Sequence, residues 1–212
     1  MPKKTEVIDR LFNLTLALLL LILFLPLFFL LYITVLISSQ GPVIFEQKRA
    51  GLKKKIFTIY KFRTMIDEAE KLQKKLIRLN EADGPTFKIR DDPRFTKVGK
   101  WIANTGLDEL PQLINVIKGE MALVGPRPFP VTEAQNIPTK FQGRFMVLPG
   151  MTSPWVVKGS HRLKFDQWMN MDLEYIASKS LFQDVKILYI TFWRFFYLMV
   201  NSFKGWEHHK IH

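Results

Sequence analysis

The stretch that decides the fold is residues 11–37, LFNLTLALLLLILFLPLFFLLYITVLI, which contains no charged residue. It is longer than the roughly 20 apolar residues needed to cross the hydrocarbon core of a bilayer, so we expect it to lie in lipid. It also exceeds the roughly 7–15 apolar residues of a secretory signal peptide, and no small-residue cleavage site precedes the basic region after it. A cleaved leader is therefore disfavoured.

The charges on either side of this stretch conflict with a simple crossing. Lys3, Lys4 and Arg10 precede it, and basic residues at 48–55 follow it. Because basic flanks remain in the cytoplasm, both ends are predicted on the cytoplasmic side. Pro26 lies near the middle, where it removes a helical hydrogen bond and can bend the helix. From these residues, a spanning anchor and a re-entrant hairpin are equally open.

A second apolar stretch, residues 185–203, is rich in aromatic residues and is interrupted by Lys186 and Arg194. This mixture is typical of a helix that lies at the level of the lipid headgroups. A buried core helix is the alternative, because Ile187, Ile190 and Arg194 do not separate cleanly into faces.

The overall composition narrows the chemistry. The 212 residues allow one domain with a membrane element, and the net charge of +12 favours an anionic partner such as nucleic acid, phospholipid or a phosphorylated substrate. The chain has no cysteine, which excludes disulfides and thiol chemistry. It contains no Walker loop, Rossmann glycine motif, zinc signature or nucleophilic-serine elbow. Carboxylates, hydroxyls, bases or a metal must therefore carry any reaction.

The rest of the chain predicts short, mixed elements. Strands at residues 43–45 and 55–60, joined by a turn, indicate a small hairpin. Thr105 is predicted to cap a helix that starts near Leu107 and ends at Gly119.

The candidate chemical group is the pair Asp108 and Glu109. Adjacent carboxylates in a first helical turn lie beside free N–H groups and a positive dipole end, a place that also attracts phosphate. A carboxylate can attack phosphorus to give an acyl phosphate while a divalent cation neutralises the charge. Arg63 and Arg127 lie in short loop-like segments from which a guanidinium could bind a diphosphate. The alternative is that the acids merely stabilise a helix and the arginines are surface charges.

Several short motifs follow the apolar segment and its central proline. They are IYKFRTM (59–65), FKIRDDPR (87–94), LDELPQL (107–113), GPRP (125–128) and PGMT (149–152). Each is weak alone, but in this order and over nearly the whole chain they resemble the bacterial sugar transferase family, the monotopic phosphoglycosyl transferases.

The resemblance implies a mostly helical α+β fold in a monotopic membrane protein. Residues 1–40 are expected to form a re-entrant helix broken near Pro26. Residues 41–212 are expected to form a catalytic domain on the cytoplasmic face of the bacterial inner membrane, with an interfacial helix near residues 185–203. Phospholipids are expected partners, nucleic acid is not, and a homodimer is left open.

The resemblance also implies a reaction. A sugar 1-phosphate is expected to pass from a UDP-sugar to polyprenyl (undecaprenyl) phosphate, releasing UMP, in the first membrane step of bacterial glycoconjugate synthesis. Asp108 is implied to be the nucleophile that forms a covalent intermediate, and Asp108 and Glu109 to bind Mg²⁺. Asp184 matches a further family acid, with helix capping as an alternative role. The expected substrate-binding residues are Lys61, Arg63, Arg127, Thr152 and Asp172.

The sequence departs from the family pattern at positions that are expected to contact phosphate or nucleotide. Ala103 replaces a common arginine, and the positions expected to hold Gly, Gln and Gly-Arg read Ser153, Val156 and Gly159-Ser160. Lys158 or Arg162 could compensate. The rival interpretations are a membrane-anchored protein that binds anionic lipid or nucleic acid, and an inactive family member that acts as a scaffold.

Overall fold

The structure, a computed structural model, describes residues 4–158 and 164–208. It confirms the predicted α+β class, with helices predominating. The helices are α1 (Lys4–Leu23), α2 (Leu25–Ser38), α3 (Ala69–Gln73), α4 (Lys97–Thr105), α5 (Gln112–Lys118), α6 (Val131–Gln135), α7 (Pro154–Lys158), α8 (Phe165–Ala177) and α9 (Leu181–His208). The strands are β1 (Ile44–Ala50), β2 (Ile56–Phe62), β3 (Ala122–Val124), β4 (Phe129–Pro130) and β5 (Gly150–Thr152). Short 3-10 segments are Leu52–Lys54, Lys74–Leu79, Leu107–Glu109 and Thr139–Met146.

The predicted hairpin is confirmed as β1 and β2, which pair antiparallel with Ile44 opposite Phe62. Both strands extend beyond the predicted residues. On its other edge β1 pairs with β4, where Ala50 lies opposite Phe129. The order β2-β1-β4 therefore brings the segment before β4 beside the hairpin.

The PGMT motif lies on β5, which pairs parallel with β3 just before the GPRP motif. Gly125 and Gly150 meet so closely that a Cβ on Gly150 would lie 2.0 Å from the Gly125 nitrogen. The Gly150 N–H donates to Pro126 O at 3.0 Å, and the Gly125 N–H donates to Thr152 O at 2.9 Å. Glycine is required at this contact because any side chain would push the two segments apart.

The predicted capping role of Thr105 is wrong. Thr105 is the last residue of α4, and its Oγ1 donates to Ile102 O at 2.8 Å instead of accepting from a following helix. Gly106, with φ 79°, then turns the chain away from α4. The hydroxyl can bond back to its own helix because the chain reverses immediately after it.

The helix predicted from near Leu107 also begins later than expected. Leu107–Glu109 forms a 3-10 turn, and α5 begins only at Gln112. Pro111 explains the break, because it has no N–H to complete an α-helical bond to the Leu107 carbonyl. The predicted end at Gly119 is confirmed, with φ 82° at that residue.

The N-terminal apolar stretch forms a bent pair of helices. No single described helix is long and apolar enough to cross a membrane, whereas Glu6–Leu23 and Leu25–Ser38 meet those criteria together, with a 63° bend between them. Pro26 lies in the first turn of α2, where proline is well tolerated. The bend therefore falls near Pro26, where the sequence predicted it.

Both arms of the pair return to the same body of the protein. Arg10 of α1 donates from its guanidinium to the carbonyls of Val116 and Ile117, both at 2.6 Å. Near the end of α2, Val35 is buried in a cluster with Phe62 of β2. Both arms of the helix pair thus contact the same body, as a re-entrant hairpin requires, and the re-entrant topology itself stays a prediction.

Two of the hydrophobic core clusters cross the expected boundary near residue 40. Ala17 of α1 packs in one cluster and Leu31 of α2 in another, and both clusters contain residues of the rest of the chain. The buried partners of Ala17 are Phe57, Ile59, Leu113, Val116, Met121 and Leu123. The buried partners of Leu31 are Val35, Val43, Phe62, Ile102 and Leu107.

Helix α9 has one packed face and one exposed aromatic face. Ile187 is buried, and Leu188 and Phe195 pack against core clusters. The exposed apolar and aromatic residues recur at helical spacing and are Leu181, Phe182, Val185, Tyr189, Phe192, Trp193, Phe196, Tyr197 and Val200. One face of α9 is therefore packed as in a core helix. The exposed face is rich in aromatic residues, as expected of an interfacial helix.

Cysteine labelling tests the topology, because the chain has no native cysteine. Lys4→Cys and Lys48→Cys are both expected to react with a membrane-impermeant maleimide from the cytoplasmic side only, since both arms return to one body. Leu25→Cys, at the bend, is the control and is expected to stay unlabelled until detergent is added. Labelling of Lys4→Cys from the periplasm contradicts the re-entrant arrangement.

Pro26→Ala is expected to move some molecules towards spanning.

Candidate active site

Four of the predicted site residues form one charged cluster. Lys61 donates from Nζ to Asp108 Oδ2 at 3.1 Å and to Glu109 Oε1 at 2.7 Å. Arg127 donates from Nη2 to the same Glu109 oxygen at 2.7 Å. The side chains of Asp108 and Glu109 are only 11% and 19% exposed. Two adjacent carboxylates are thus largely buried, and two cations compensate their charge.

Three different parts of the chain position the members of this cluster. Lys61 lies near the end of β2, and Asp108 and Glu109 lie on the 3-10 turn whose first residue, Leu107, is fully buried. Arg127 belongs to the GPRP loop (residues 125–128), between β3 and β4. The site therefore forms only when the hairpin, the turn and this loop are packed together.

Asn115 fixes α5 to the strand that carries Lys61, and the sequence analysis missed it. Its Nδ2 donates to Thr58 O at 2.7 Å and to Glu120 Oε2 at 2.8 Å, and its Oδ1 accepts from the Tyr60 N–H at 3.2 Å. Asn115 is completely buried, so these bonds satisfy an amide that would otherwise be costly to bury. A polar residue flanked by Leu113, Ile114, Val116 and Ile117 was the available signal.

The two carboxylates titrate differently. Burial acts to raise the pKa of Glu109, but the charges of Arg127 and Lys61 outweigh it, so its pKa lies well below the usual value. Burial raises the pKa of Asp108, opposed by Lys61 and reinforced by the charge of Glu109. Glu109 is therefore the firmly ionised partner, and Asp108 is the carboxylate whose charge is held with more difficulty.

Further cations surround Arg127. Burial and the charge of Arg127 lower the pKa of both Arg49 and Lys88. Arg49 donates from Nη1 to Pro128 O at 3.0 Å, so it contacts the GPRP loop directly. Glu133 lies nearby, and burial raises the pKa of its carboxyl. The concentration of positive charge suits a polyanionic ligand. Lys88 lies in a recognised motif, whereas only a run of basic residues pointed to Arg49.

The other three predicted substrate residues lie elsewhere. Arg63 donates to the Gln40 carbonyl beyond the end of α2. The Oγ1 atoms of Thr152 and Thr191 are 2.9 Å apart. Asp172 is buried and paired with an arginine of the 139–146 segment. Within residues 4–158 and 164–208, no hydrogen bond or ion pair joins these three side chains to the Asp108–Glu109 pair.

The alternative capping role of Asp184 is wrong. Its Oδ1 accepts from the Tyr175 hydroxyl at 2.6 Å, and its other oxygen is 3.7 Å from Lys179 Nζ. Ser180 receives the Gln183 N–H on its Oγ at 3.3 Å, which is the bond expected of the residue that caps α9. Asp184 lies one turn further on and is buried.

The positions that depart from the family pattern are partly described. Ala103 is half-buried on α4, the helix just before the Asp108 turn, and Val156 lies on α7. Ser153 is buried, and its Oγ has no hydrogen-bond partner among the described residues. Gly159, Ser160, Arg162 and the side chain of Lys158 lie outside the described part of the chain.

The donor set at the site fits a shared Mg²⁺ ion. Mg²⁺ prefers oxygen ligands and is usually bound by one or two carboxylates together with substrate phosphates and water. Asp108 and Glu109 supply two carboxylates. Among the described residues, this site included, no group of three or more His, Cys, Asp or Glu side chains could hold a metal. The residues therefore suit an ion held jointly with a phosphate-bearing ligand.

The sequence of this chain matches a known class of protein. The family model of bacterial sugar transferases matches residues 4–197. The chain therefore belongs to the bacterial sugar transferase family, which confirms the resemblance of its ordered motifs.

Curated relatives agree with this assignment. The galactosyl transferase CpsE of Streptococcus agalactiae is 42% identical over 73% of this chain and 34% of its own length. The undecaprenyl-phosphate galactose phosphotransferase of Salmonella typhimurium is 35% identical over 89% of this chain and 40% of its own. The exopolysaccharide production protein ExoY of Rhizobium meliloti is 34% identical over 86% of this chain and 82% of its own. The chain thus spans well under half of the first two relatives and most of the third.

Replacing the two neighbours of Asp108 is expected to move its pKa in opposite directions. Lys61→Met removes a charge that lowers this pKa, so the pKa should rise, whereas Glu109→Gln removes a charge that raises it, so the pKa should fall. The measurement is a carboxyl-carbon NMR titration of metal-free protein labelled in aspartate, with Asp108→Asn identifying the signal. Lys140→Met, which removes the partner of the exposed Asp166, is the matched control. Shifts of the same sign in both variants contradict the described geometry.

Proposed function

We propose that this protein is a phosphoglycosyl transferase that moves a sugar 1-phosphate from a UDP-sugar to polyprenyl phosphate. The products are UMP and a polyprenyl-diphosphate sugar. The observation that carries the proposal is the buried Asp108–Glu109 pair held by Lys61 and Arg127, because it joins a nucleophilic carboxylate to cations suited to phosphate. The Salmonella relative, an undecaprenyl-phosphate galactose phosphotransferase, supports the acceptor and the transfer of a sugar phosphate, and the Streptococcus relative, a galactosyl transferase, supports a sugar donor.

The reaction proceeds in two displacements at one phosphorus atom. An Asp108 carboxylate oxygen attacks the β-phosphorus of the donor, and the bond to the bridging oxygen breaks as UMP leaves with that oxygen. A phosphate oxygen of the acceptor then attacks the same phosphorus and releases the Asp108 carboxylate. The form of Asp108 that attacks is the carboxylate, which Lys61 stabilises. Because the carboxylate carries no proton, the attack needs no proton acceptor.

Glu109 acts by organising charge. Its carboxylate stays ionised and holds both Lys61 and Arg127 in hydrogen bonds before the donor binds. When the diphosphate enters, Lys61 and Arg127 can donate hydrogen bonds to the phosphate oxygens in place of some of those to Glu109.

Mg²⁺, when bound, neutralises charge on the diphosphate. Asp108 and Glu109 are the residues that would hold it.

The acceptor is assigned to the side of the site nearest the helix pair. Arg63 contacts the chain just beyond the end of α2, so it suits the phosphate of a lipid whose tail lies in the membrane. Thr152 stays a proposed substrate residue. The apolar outer faces of α1 and α2 and the aromatic face of α9 support attachment to phospholipid, on the cytoplasmic face of the bacterial inner membrane. A homodimer stays a prediction.

A covalent adduct on Asp108 is the expected signature of this mechanism. Enzyme mixed with donor alone should release UMP in proportion to the enzyme and gain the mass of a sugar phosphate, because the first displacement needs no acceptor. Intact-protein mass spectrometry and peptide mapping should locate the adduct on the peptide containing Asp108.

Asp108→Asn should abolish both the adduct and the UMP burst while it leaves the fold intact. Asp166→Asn, on the protein surface, is the matched control and should keep both. If UMP leaves only after donor and acceptor have both bound, and no adduct forms, transfer is direct and Asp108 is not the nucleophile. If donor and acceptor together yield no UMP with any UDP-sugar, the scaffold interpretation is favoured.

Removal of divalent cations is expected to stop the reaction. Two adjacent carboxylates and an incoming diphosphate carry more negative charge than Lys61 and Arg127 neutralise, so the donor should bind poorly without Mg²⁺. UMP release is measured in EDTA and again after excess Mg²⁺ is added, which should restore it. Full activity in EDTA contradicts a metal requirement.

A further inference from the structure

The GPRP loop is held at three consecutive backbone carbonyls. The donors come from three different parts of the chain, so the loop cannot shift without breaking at least one long-range bond. The bonds run from Gly150 N to Pro126 O (3.0 Å), from Arg144 Nη2 to Arg127 O (2.8 Å) and from Arg49 Nη1 to Pro128 O (3.0 Å).

Arg144, the donor at the middle carbonyl, is almost completely buried, with 3% of its surface exposed. Its guanidinium lies between two aromatic rings, 4.2 Å from the centroid of Phe129 and 5.4 Å from that of Phe145. This stacking fixes the plane of the guanidinium. The direction of each N–H is therefore fixed as well.

Asp172 provides the charge that keeps Arg144 in place. Its Oδ2 accepts from Arg144 Nε at 3.2 Å and from Nη2 at 2.9 Å. Nη2 is the same nitrogen that donates to the Arg127 carbonyl. Asp172 is 0% exposed, so its carboxylate faces Arg144 in the interior and presents no surface to solvent.

We propose that Asp172 and Arg144 are positioning residues that set the place of the Arg127 guanidinium. Asp172 orients Arg144, Arg144 holds the Arg127 backbone, and Arg127 thereby reaches Glu109 at 2.7 Å. This assignment rests on the proposed function, in which Arg127 binds the donor diphosphate. It gives Asp172 an indirect role instead of the substrate contact that the family resemblance implies.

The physics of buried charge supports a role beyond stability. Two apolar side chains of similar size often stabilise a protein as well as a buried ion pair does, because the pair must be desolvated. What the apolar side chains cannot supply is a hydrogen bond aimed at one carbonyl. The bond from Arg144 to Arg127 O is therefore the feature that the ion pair adds.

The first test is Arg144→Lys, compared with Arg94→Lys. Arg94 forms a similar buried pair with Asp92, at 2.6 Å, and donates to the carbonyl of Ala69, but it has no contact with the GPRP loop among the described residues. Lysine is shorter and lacks the planar fork, so at position 144 it is expected to keep Asp172 and lose Arg127 O. Both variants should unfold at a lower temperature than the parent.

Only Arg144→Lys should weaken donor use, by between about tenfold and a hundredfold in kcat/KM, with the KM for UDP-sugar rising more than kcat falls. Arg94→Lys should keep kcat/KM within about twofold. Equal losses in the two variants, or full activity in Arg144→Lys, overturn the proposal.

The second test is the double variant Arg144→Met/Asp172→Val, in which an apolar pair replaces the charges. Its unfolding temperature should recover relative to Arg144→Met alone, because no unpaired charge remains buried. Its kcat/KM should stay low. Activity that returns together with the unfolding temperature shows a purely structural pair and overturns the proposal.

A measurement independent of turnover separates this proposal from the proposed function. Amide hydrogen exchange at Gly125, Arg127 and Phe129, the residues of this segment that carry an N–H, should be faster in Arg144→Lys than in the parent and in Arg94→Lys, because the loop has lost one of its hydrogen bonds. Unchanged exchange there overturns the positioning role. If the parent protein transfers no sugar phosphate while Arg144→Lys still shows faster exchange than the parent, the positioning role of Arg144 is supported and the proposed function fails.

Discussion

The mutual repulsion of Asp108 and Glu109 is the constraint on which the rest of the structure depends. Two neighbouring carboxylates with little access to water stay together only if cations compensate them, and Lys61 and Arg127 do so from two different parts of the chain. The β1–β2 hairpin, the parallel contact of β3 with β5 and the short turn before α5 all serve to bring these four charges together.

The sequence predicted the elements that depend on local signals. The hairpin, the end of α5 at Gly119 and the bend near Pro26 follow from turn residues, a glycine and a proline. It could not predict the partners of Arg144 or Asn115, because these lie far away along the chain. The predicted start of α5 near Leu107 was wrong because Pro111 lacks the N–H that would bond to the Leu107 carbonyl. The helix-favouring residues around Pro111 could not replace that bond.

The hydrophobic pattern of α9 did not decide between a buried core helix and an interfacial helix. Apolar residues line both the packed and the outer face of α9, and such a pattern looks the same whether the outer face meets protein or lipid. The structure separates the two faces and leaves the aromatic one open. For the site, the sequence identified the two carboxylates and the two cations that hold them, but it could not show that Asp172 is buried against Arg144, because burial cannot be read from a motif.

Two hydrophobic core clusters contain residues of the helix pair together with residues of the rest of the chain, and this limits how the protein can be shortened. Deleting residues 1–40 would remove Ala17 and Leu31 from these cores and would also remove Arg10, which bonds to the end of α5. The freshly uncovered surface would be apolar and would favour aggregation. A water-soluble version is therefore better sought by replacing the outward-facing apolar side chains of α1 and α2 with polar ones, while their inward faces are kept.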